Sequence, residues 1–282
     1  MFVTPVKEQE AHGLVSENYQ KIKQALNSAT LPVFFTYLGS FPEYLEYLTG
    51  QLVDNLEDSR FKTISDDLSR EFTERIRREL EKSDYLKQWI ENYKKNPEFY
   101  HFQKDLDSII LINIKLACIF ISLREAVKGW AVAAKKLPHA TGRTESPKAD
   151  IQRDEFLYEY LIKEIAKTEN LNESSPDVRN QAIIKAPSSA IEKNLLSEYL
   201  RLCDSDLKAY MKKDYFWILR VQLEEKILSL LATFPHLIFS PYNVIIQYTQ
   251  KYDNFYELLY LLYEKFPTLS MHRLIFSVYM HI

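Results

Sequence analysis

The stretch Ser108–Ala134 reads SIILINIKLACIFISLREAVKGWAVAA, and no other part of the chain is as apolar over such a length without a proline. This pattern predicts a buried central helix. A bilayer span requires ~20 apolar residues, and because Asn113, Lys115 and Arg124 interrupt the run, we expect no membrane span. A polar group in a low-dielectric interior is costly unless something satisfies it, which makes Asn113 the first residue to explain.

Helical spacing also marks the rest of the chain. Segment 58–82 is strongly charged with one apolar stripe, which predicts an outer helix. We expect Pro42 to divide the aromatic stretch after Pro32 into two helices, Pro97 to separate two more, and Pro267 to break the C-terminal segment. The central-helix residues that we expect to be packed are Leu111, Ile114, Cys118, Ile121 and Leu123.

The composition favours helices over other folds. Hydrophobic residues make up 46% of the 282 residues and charged residues 27%, an ordinary balance for one large globular domain or two smaller ones. The chain has 5 glycines, far below the roughly 7% usually found, which leaves little material for hairpins, Rossmann turns or phosphate-binding loops. No segment alternates convincingly as a strand would. We therefore predict an all-α protein.

Charge and cysteine usage limit the partners and the compartment. A net charge of −3 and an isoelectric point near 6.1 supply no overall footprint for nucleic acid, so we expect no nucleic-acid partner. The start, MFVTPVKEQEAHG, lacks a signal-peptide pattern, and the two cysteines lie far apart, which predicts a reduced, cytoplasmic protein. The six histidines never fall at ligand spacing, and no HExxH or CxxC occurs, so we predict no metal site.

The chain matches itself weakly at an offset of 162 residues, which pairs 17–48 with 179–210 without a gap. A stretch rich in Gly, Pro, Ser and Thr lies between the two copies. We therefore predict a first helical repeat over 1–136, a linker over 137–154 and a second helical repeat over 155–282. Two such repeats would form an intrachain pseudo-dimer, and the interface between halves is a common place for a pocket.

The opening EAHGLVSENYQKIKQALNSATLPVFF, followed by FPEYLEY, resembles the first repeat of the group I 2-haloacid dehalogenases, which act on both D and L substrates. The segments SPDVRNQAIIKAP and SEYLRL resemble the second repeat of that family. The resemblance implies an all-helical tandem repeat that uses no metal or organic cofactor. It also implies a small-molecule carboxylate as substrate and direct attack of water on the halogen-bearing carbon.

The resemblance also suggests which residues act. The family's Asn, which helps to activate the water, is matched by Asn113 in INIKLACIF, where Lys115 fits and Ile114 replaces a proline. The family's catalytic Asp, which precedes a Tyr-Arg pair, is matched by Glu198 in SEYLR. Glu198 is then the expected base and Asn113 the expected water holder.

The second motif departs from the family pattern at three positions. Glu198 replaces Asp, the arginine has moved one place to Arg201, and Asn194 stands where the family has a proline. A register shifted by two residues would place Leu196 at the base position. Glu198 also has a second interpretation, as a solvated helix charge paired on the surface.

The substrate pocket implied by the resemblance contains Phe34, Tyr37, Tyr199 and Arg201, although each aromatic ring is equally typical of a helical core. Two functions follow. The first is cofactor-independent hydrolytic dehalogenation of small 2-halocarboxylic acids at the repeat interface. The second is a non-catalytic helical protein of the same fold that binds a small acid or a protein partner. A homodimer is compatible with both.

Overall fold

The computed structural model describes residues 3–136 and 190–282, with side chains described over 3–129 and 195–282. Every regular element in these ranges is helical, so the all-α prediction is confirmed. The α-helices are α1 (Gly13–Leu26), α2 (Val33–Leu38), α3 (Pro42–Glu57), α4 (Ser59–Glu79), α5 (Asp84–Tyr93), α6 (Pro97–Lys136), α7 (Ala190–Met211), α8 (Asp214–Leu230), α9 (Tyr242–Lys251), α10 (Phe255–Tyr260) and α11 (Phe266–Met280).

The predicted central helix is the middle of α6, which begins well before Ser108. Pro97 occupies the first helical position, where its missing N–H costs nothing. The Asn96 Oδ1 atom caps the end by accepting hydrogen bonds from the Glu98 and Phe99 amides, at 2.9 and 3.2 Å. The predicted break at Pro97 is therefore confirmed.

The core side of α6 is buried as predicted, with one exception. Ile114, Cys118, Ile121 and Leu123 are buried, whereas Leu111 is only half-buried. Leu111 lies on the same helical face as exposed residues one and two turns earlier, since residues three, four and seven positions apart share a face. The prediction of a packed Leu111 is therefore wrong.

By length and composition alone, the Pro97–Gly129 part of α6 could cross a membrane. In this fold 67% of its apolar window is buried inside the protein. The largest share of that covering comes from α11, which runs antiparallel to α6: Gln103 bonds to Met280, whereas Asn113, further along α6, bonds to Ser277. A buried core helix satisfies the same length and composition criteria as a membrane span.

The N-terminal half follows its local signals. Pro42 stands at the start of α3 and separates it from α2, as predicted. The Asp58 carboxylate caps α4 by accepting a hydrogen bond from the Arg60 amide at 2.7 Å. The charged helix α4 has one buried apolar stripe with the half-buried Ile64 beside it; the buried members are Phe61, Leu68, Phe72, Ile76 and Leu80.

Pro267 does not break the C-terminal segment, which corrects the sequence prediction. The chain is helical without interruption from Phe255 to Met280, and a turn of π-helix over Leu261–Lys265 joins α10 to α11. Pro267 lies in the first turn of α11, directly after that π-turn. The i→i+5 bonding of a π-turn changes which carbonyls require amide partners, so the missing N–H of a proline is tolerated there.

The predicted pseudo-repeat is not confirmed. The linker over 137–154 and the first part of the second copy lie outside the described residues. In the part that can be compared, segment 28–49 contains two breaks between helices, whereas the paired segment 190–211 is the single helix α7. The first copy has Pro32 and Pro42 at its breaks, and the second has Asn194 and Asp204 at those positions. The paired segments therefore differ in local structure.

Candidate functional site

Asn113 is buried, and its amide is held by α11. Its Nδ2 donates to Ser277 Oγ at 3.2 Å and to the Arg273 carbonyl at 3.4 Å. Its Oδ1 accepts from Arg273 Nε at 3.2 Å. The hydrogen bonds fix the orientation of the carboxamide, since Nδ2 faces acceptors and Oδ1 faces a donor. These hydrogen bonds explain how a buried polar group is accommodated in the most apolar helix.

Arg273 links Asn113 to the aromatic residues near the N-terminus. Its guanidinium carbon lies 5.8 Å from the ring centroid of Phe34, a cation–π contact. Phe34 is fully buried and packs against Phe266, with 5.4 Å between ring centroids. Tyr37 is half-buried and packs on the same Phe266 ring at 5.8 Å. The structure therefore brings Asn113, Phe34 and Tyr37 into one neighbourhood around Arg273.

Lys115 does not join this neighbourhood. It lies two positions after Asn113, which places it nearly on the opposite side of α6. The charges closest to it are Lys62 and Asp66 of α4, and burial lowers the pKa of its ammonium group. The lysine that fits the family motif therefore faces a different helix from the asparagine of that motif.

The other three predicted residues lie on α7, and Tyr199 of this helix contacts the end of α11. Tyr199 is fully buried in α7, and its hydroxyl donates to the Met280 carbonyl at 2.5 Å. Burial raises the pKa of the Tyr199 phenol. The Glu198 side chain is half-buried and makes no hydrogen bond or ion pair within the described ranges. Arg201 is exposed. Consecutive residues on a helix point about 100° apart, so Glu198 does not share the direction of Tyr199.

These two groups of residues lie at different levels of the α6–α11 pair. Gln103 donates to the same Met280 carbonyl as Tyr199, at 3.1 Å, which marks the level of the second group. Asn113 follows Gln103 by roughly 15 Å along the axis of α6, given a rise of about 1.5 Å per residue. Among the described residues no contact joins Asn113 to Glu198 or Tyr199. The structure thus groups three of the six predicted residues and places the other three elsewhere.

Comparison with known proteins identifies no relative of this chain. No protein-family model, curated protein or solved structure matches the chain. The dehalogenase resemblance and the residue roles that it implies therefore stay predictions.

Sequence reasoning missed Arg273 and Ser277, although a signal for the arginine was present. Arg273 is the one basic side chain within FPTLSMHRLIFSVYM apart from His272, and its charge interrupts an apolar run just as Asn113 interrupts α6. A second polar residue in a second apolar helix is a natural partner for the first. Ser277 carries no such signal, since serine is common in buried helices.

Other chemistry has little support in the described part of the chain. No group of three or more His, Cys, Asp or Glu side chains there is arranged to hold a metal ion. Cys118 and Cys203 are both free and buried, and burial raises the pKa of each thiol to about 12. A thiol with so high a pKa is a poor nucleophile, because the thiolate is the reactive form.

Proposed function

We propose that this protein binds a small carboxylic acid at Arg273 and Asn113, and that its reaction is hydrolytic dehalogenation of a 2-halocarboxylate. The observation that carries the proposal is the orientation of the Arg273 guanidinium by Asn113 Oδ1 and Phe34. A guanidinium presents five N–H donors in a planar fork that matches a carboxylate. The aromatic rings of Phe34, Tyr37 and Phe266 offer an apolar surface for the carbon and halogen.

In this reaction water attacks the halogen-bearing carbon as the halide leaves with the bonding electron pair, and a base takes up the proton. Asn113 Oδ1 has two lone pairs, of which Arg273 Nε uses one. The second lone pair can accept a hydrogen bond from the attacking water. The family resemblance implies Glu198 as the base, and for this step Glu198 would have to approach the water at Asn113, since the two residues lie at different levels of the α6–α11 pair in this structure.

Halide release and ligand binding together test the proposal. We expect chloride release from 2-chloropropionate of both hands, measured by ion chromatography. Arg273→Lys keeps the charge but loses the fork, so binding should weaken by about tenfold, or ~1.4 kcal/mol. Arg70→Lys on the exposed face of α4 is the matched control and should bind normally. If Arg273→Lys and Arg70→Lys bind 2-chloropropionate with equal affinity, Arg273 is not part of the site.

The role of Glu198 has its own test. If Glu198 is the base, Glu198→Gln should lower chloride release by a factor on the order of 10² to 10⁴ while binding is retained. Asn113→Ala should impair the same step. Unchanged release by Glu198→Gln would reject the assignment of the base.

A second candidate function is binding of a small acid without chemistry. It is favoured by the separation of Glu198 from Asn113, because a general base must come within hydrogen-bond reach of the water that it activates. Saturable binding of 2-chloropropionate without chloride release, weakened about tenfold in Arg273→Lys and kept in Glu198→Gln, would establish this alternative.

A further inference from the structure

Two adjoining open clefts lie between the end of α4, the start of α5, helix α7 and the end of α11. Their volumes are about 390 and 450 Å³. Glu81, Lys82 and Lys87 line both clefts, so the two adjoin at these residues. Neither Asn113 nor Arg273 lines them, and this region therefore lies outside the site of the proposed function.

Lys82 lies where the two clefts meet. Its side chain is half-buried, its Nζ donates to the His281 carbonyl at 3.0 Å, and the same nitrogen lies 5.3 Å from the ring centroid of Tyr279. Burial lowers the pKa of its ammonium group to about 8. The titratable or charged groups that face it or line the clefts with it are Arg77 of α4; Glu81; Asp84 and Lys87 of α5; Cys203, Asp206 and Tyr210 of α7; Lys213; and Tyr279 and His281 at the end of α11.

A phenol and a carboxylate lie beside this amine. The Tyr279 hydroxyl donates to Asp206 Oδ2 at 2.7 Å, and the same oxygen accepts from the Ser83 amide at 3.0 Å. The Ser83 bond fixes Asp206, and Asp206 fixes Tyr279, so the ring beside Lys82 is held in place. Burial and the bond to Asp206 raise the pKa of the Tyr279 phenol, so its one proton stays in the bond to Asp206.

We propose that Lys82 is the reactive amine of a second site, which binds a small oxo acid as a Schiff base. A desolvated lysine beside another cation is a recognised form of activated amine nucleophile, and Arg77 supplies that cation here. The Tyr279 ring positions the amine, since Lys82 Nζ lies 5.3 Å from its centroid.

Arg77 and Lys87 line the cleft and are available as cations for the carboxylate of the oxo acid. Lys87 pairs with Glu81 at 3.5 Å and with Asp84 at 3.8 Å. Arg77 donates to the Ile282 carbonyl at 2.9 Å, so the ligand carboxylate would compete with these partners.

The step balances without a further reactant. The Nζ lone pair of the neutral amine attacks the carbonyl carbon, a C–N bond forms, and one Nζ proton passes through solvent to the carbonyl oxygen to give a carbinolamine. The second Nζ proton passes to the same oxygen, the C–O bond breaks, and the C=N bond forms as water leaves. One amine and one carbonyl compound thus give one imine and one water, with no change in oxidation state.

Reductive trapping of the Schiff base in the folded 282-residue protein tests the proposal. With glyoxylate and cyanoborohydride at about pH 8, peptide mass spectrometry should find Lys82 carboxymethylated about tenfold faster than exposed Lys21, since a solvated lysine is almost fully protonated at that pH. The Lys82 rate should level off above about pH 8, where its amine is neutral. Label spread evenly over the lysines would overturn the proposal.

Variants separate the parts of the site. Lys82→Arg should lose that label, whereas Tyr279→Phe, which keeps the ring beside Lys82, should retain it. Lys87→Met should slow labelling by glyoxylate but not by neutral acetaldehyde, whereas Lys104→Arg on exposed α6 surface should change neither. An equal ratio of Lys82 label to Lys21 label with the two aldehydes in the unaltered protein would reject the oxo acid as ligand. Arg273→Lys should leave Lys82 labelling unchanged, so this result is independent of the proposed function.

Discussion

His272 is a buried histidine enclosed by aromatic side chains. It is 4% exposed, and its ring lies 5.6 Å from Trp217 and 6.2 Å from Phe216, centroid to centroid. In the described part of the chain its Nε2 has no hydrogen-bond partner. Burial, with a smaller contribution from Arg220, lowers the pKa of its imidazole to about 3. The folded protein therefore holds His272 neutral.

This histidine makes stability depend on pH. The unfolded chain has an ordinary histidine pKa near 6.5, so between about pH 6.5 and 3 the unfolded state binds the extra proton. The free energy of unfolding should therefore fall as pH decreases, by up to about 1.4 kcal/mol per pH unit from this group. Urea denaturation at several pH values should show a shallower slope for His272→Leu than for the unaltered protein. The matched control, exposed His101→Leu, should keep the original slope.

At the scale of single elements, α6 owes its place to one continuous buried face. Ile114 is fully buried on that face, whereas Ser108 is exposed on the same helix. Ile114→Asp should lower the free energy of unfolding by several kcal/mol, because it buries an unpaired carboxylate. Ser108→Asp should change it by no more than about 0.5 kcal/mol. Chemical denaturation measures both, and a small effect at Ile114 would mean that this face is solvated.

Side chains of α3 hold the non-helical segment 234–241, which precedes α9. Asn55 is buried; its Nδ2 donates to the His236 carbonyl at 2.8 Å and its Oδ1 accepts from the His236 amide at 3.3 Å. One turn earlier, Gln51 Oε1 accepts from the Phe239 amide at 3.0 Å. The segment obtains through these side chains the backbone partners that a helix would supply internally.

Loss of Asn55 should loosen this segment. Asn55→Ala leaves the amide and the carbonyl of His236 without their partner, so unfolding should become easier by about 1–3 kcal/mol. Hydrogen exchange at the His236 amide should accelerate, and exposed Asn92→Ala on α5 serves as the control. Unchanged exchange at His236 would contradict the role given to Asn55.

Across the whole molecule, the α6–α11 pair joins the first predicted repeat to the last helix of the chain. Asn113 bonds to Arg273 and Ser277, and Gln103 bonds to both Met280 and Ile282. The core is thus made by residues far apart in sequence. A unit ending at Lys136 would expose the buried face of α6.

We therefore expect the first predicted repeat, 1–136, to fail to fold alone. Without α11 it leaves a large apolar surface in water, which favours aggregation or a loosely packed state. The full chain should give a cooperative urea transition by circular dichroism, whereas the fragment should give a broad one or none. A cooperative transition of the isolated fragment would instead support an independent N-terminal domain.

The sequence by itself determined the helical class and many of the helix limits. The apolar face of α6, the single stripe of α4, the start at Pro97 and the division at Pro42 all follow from spacing and proline chemistry within a few residues. Such signals are local, because they act on the backbone next to them. At these positions the local signals therefore set the helix limits independently of the tertiary packing.

The tertiary structure decided which helices meet, and with that the grouping of the candidate site. Pairing α6 antiparallel with α11 placed Arg273 against Asn113 and put Glu198 at a different level of the pair. The segment that Pro267 was expected to break is instead helical throughout, with a π-turn directly before the turn that contains the proline. Hydrophobic periodicity tells which face of a helix is buried, but the partner of that face depends on packing between residues distant in the chain.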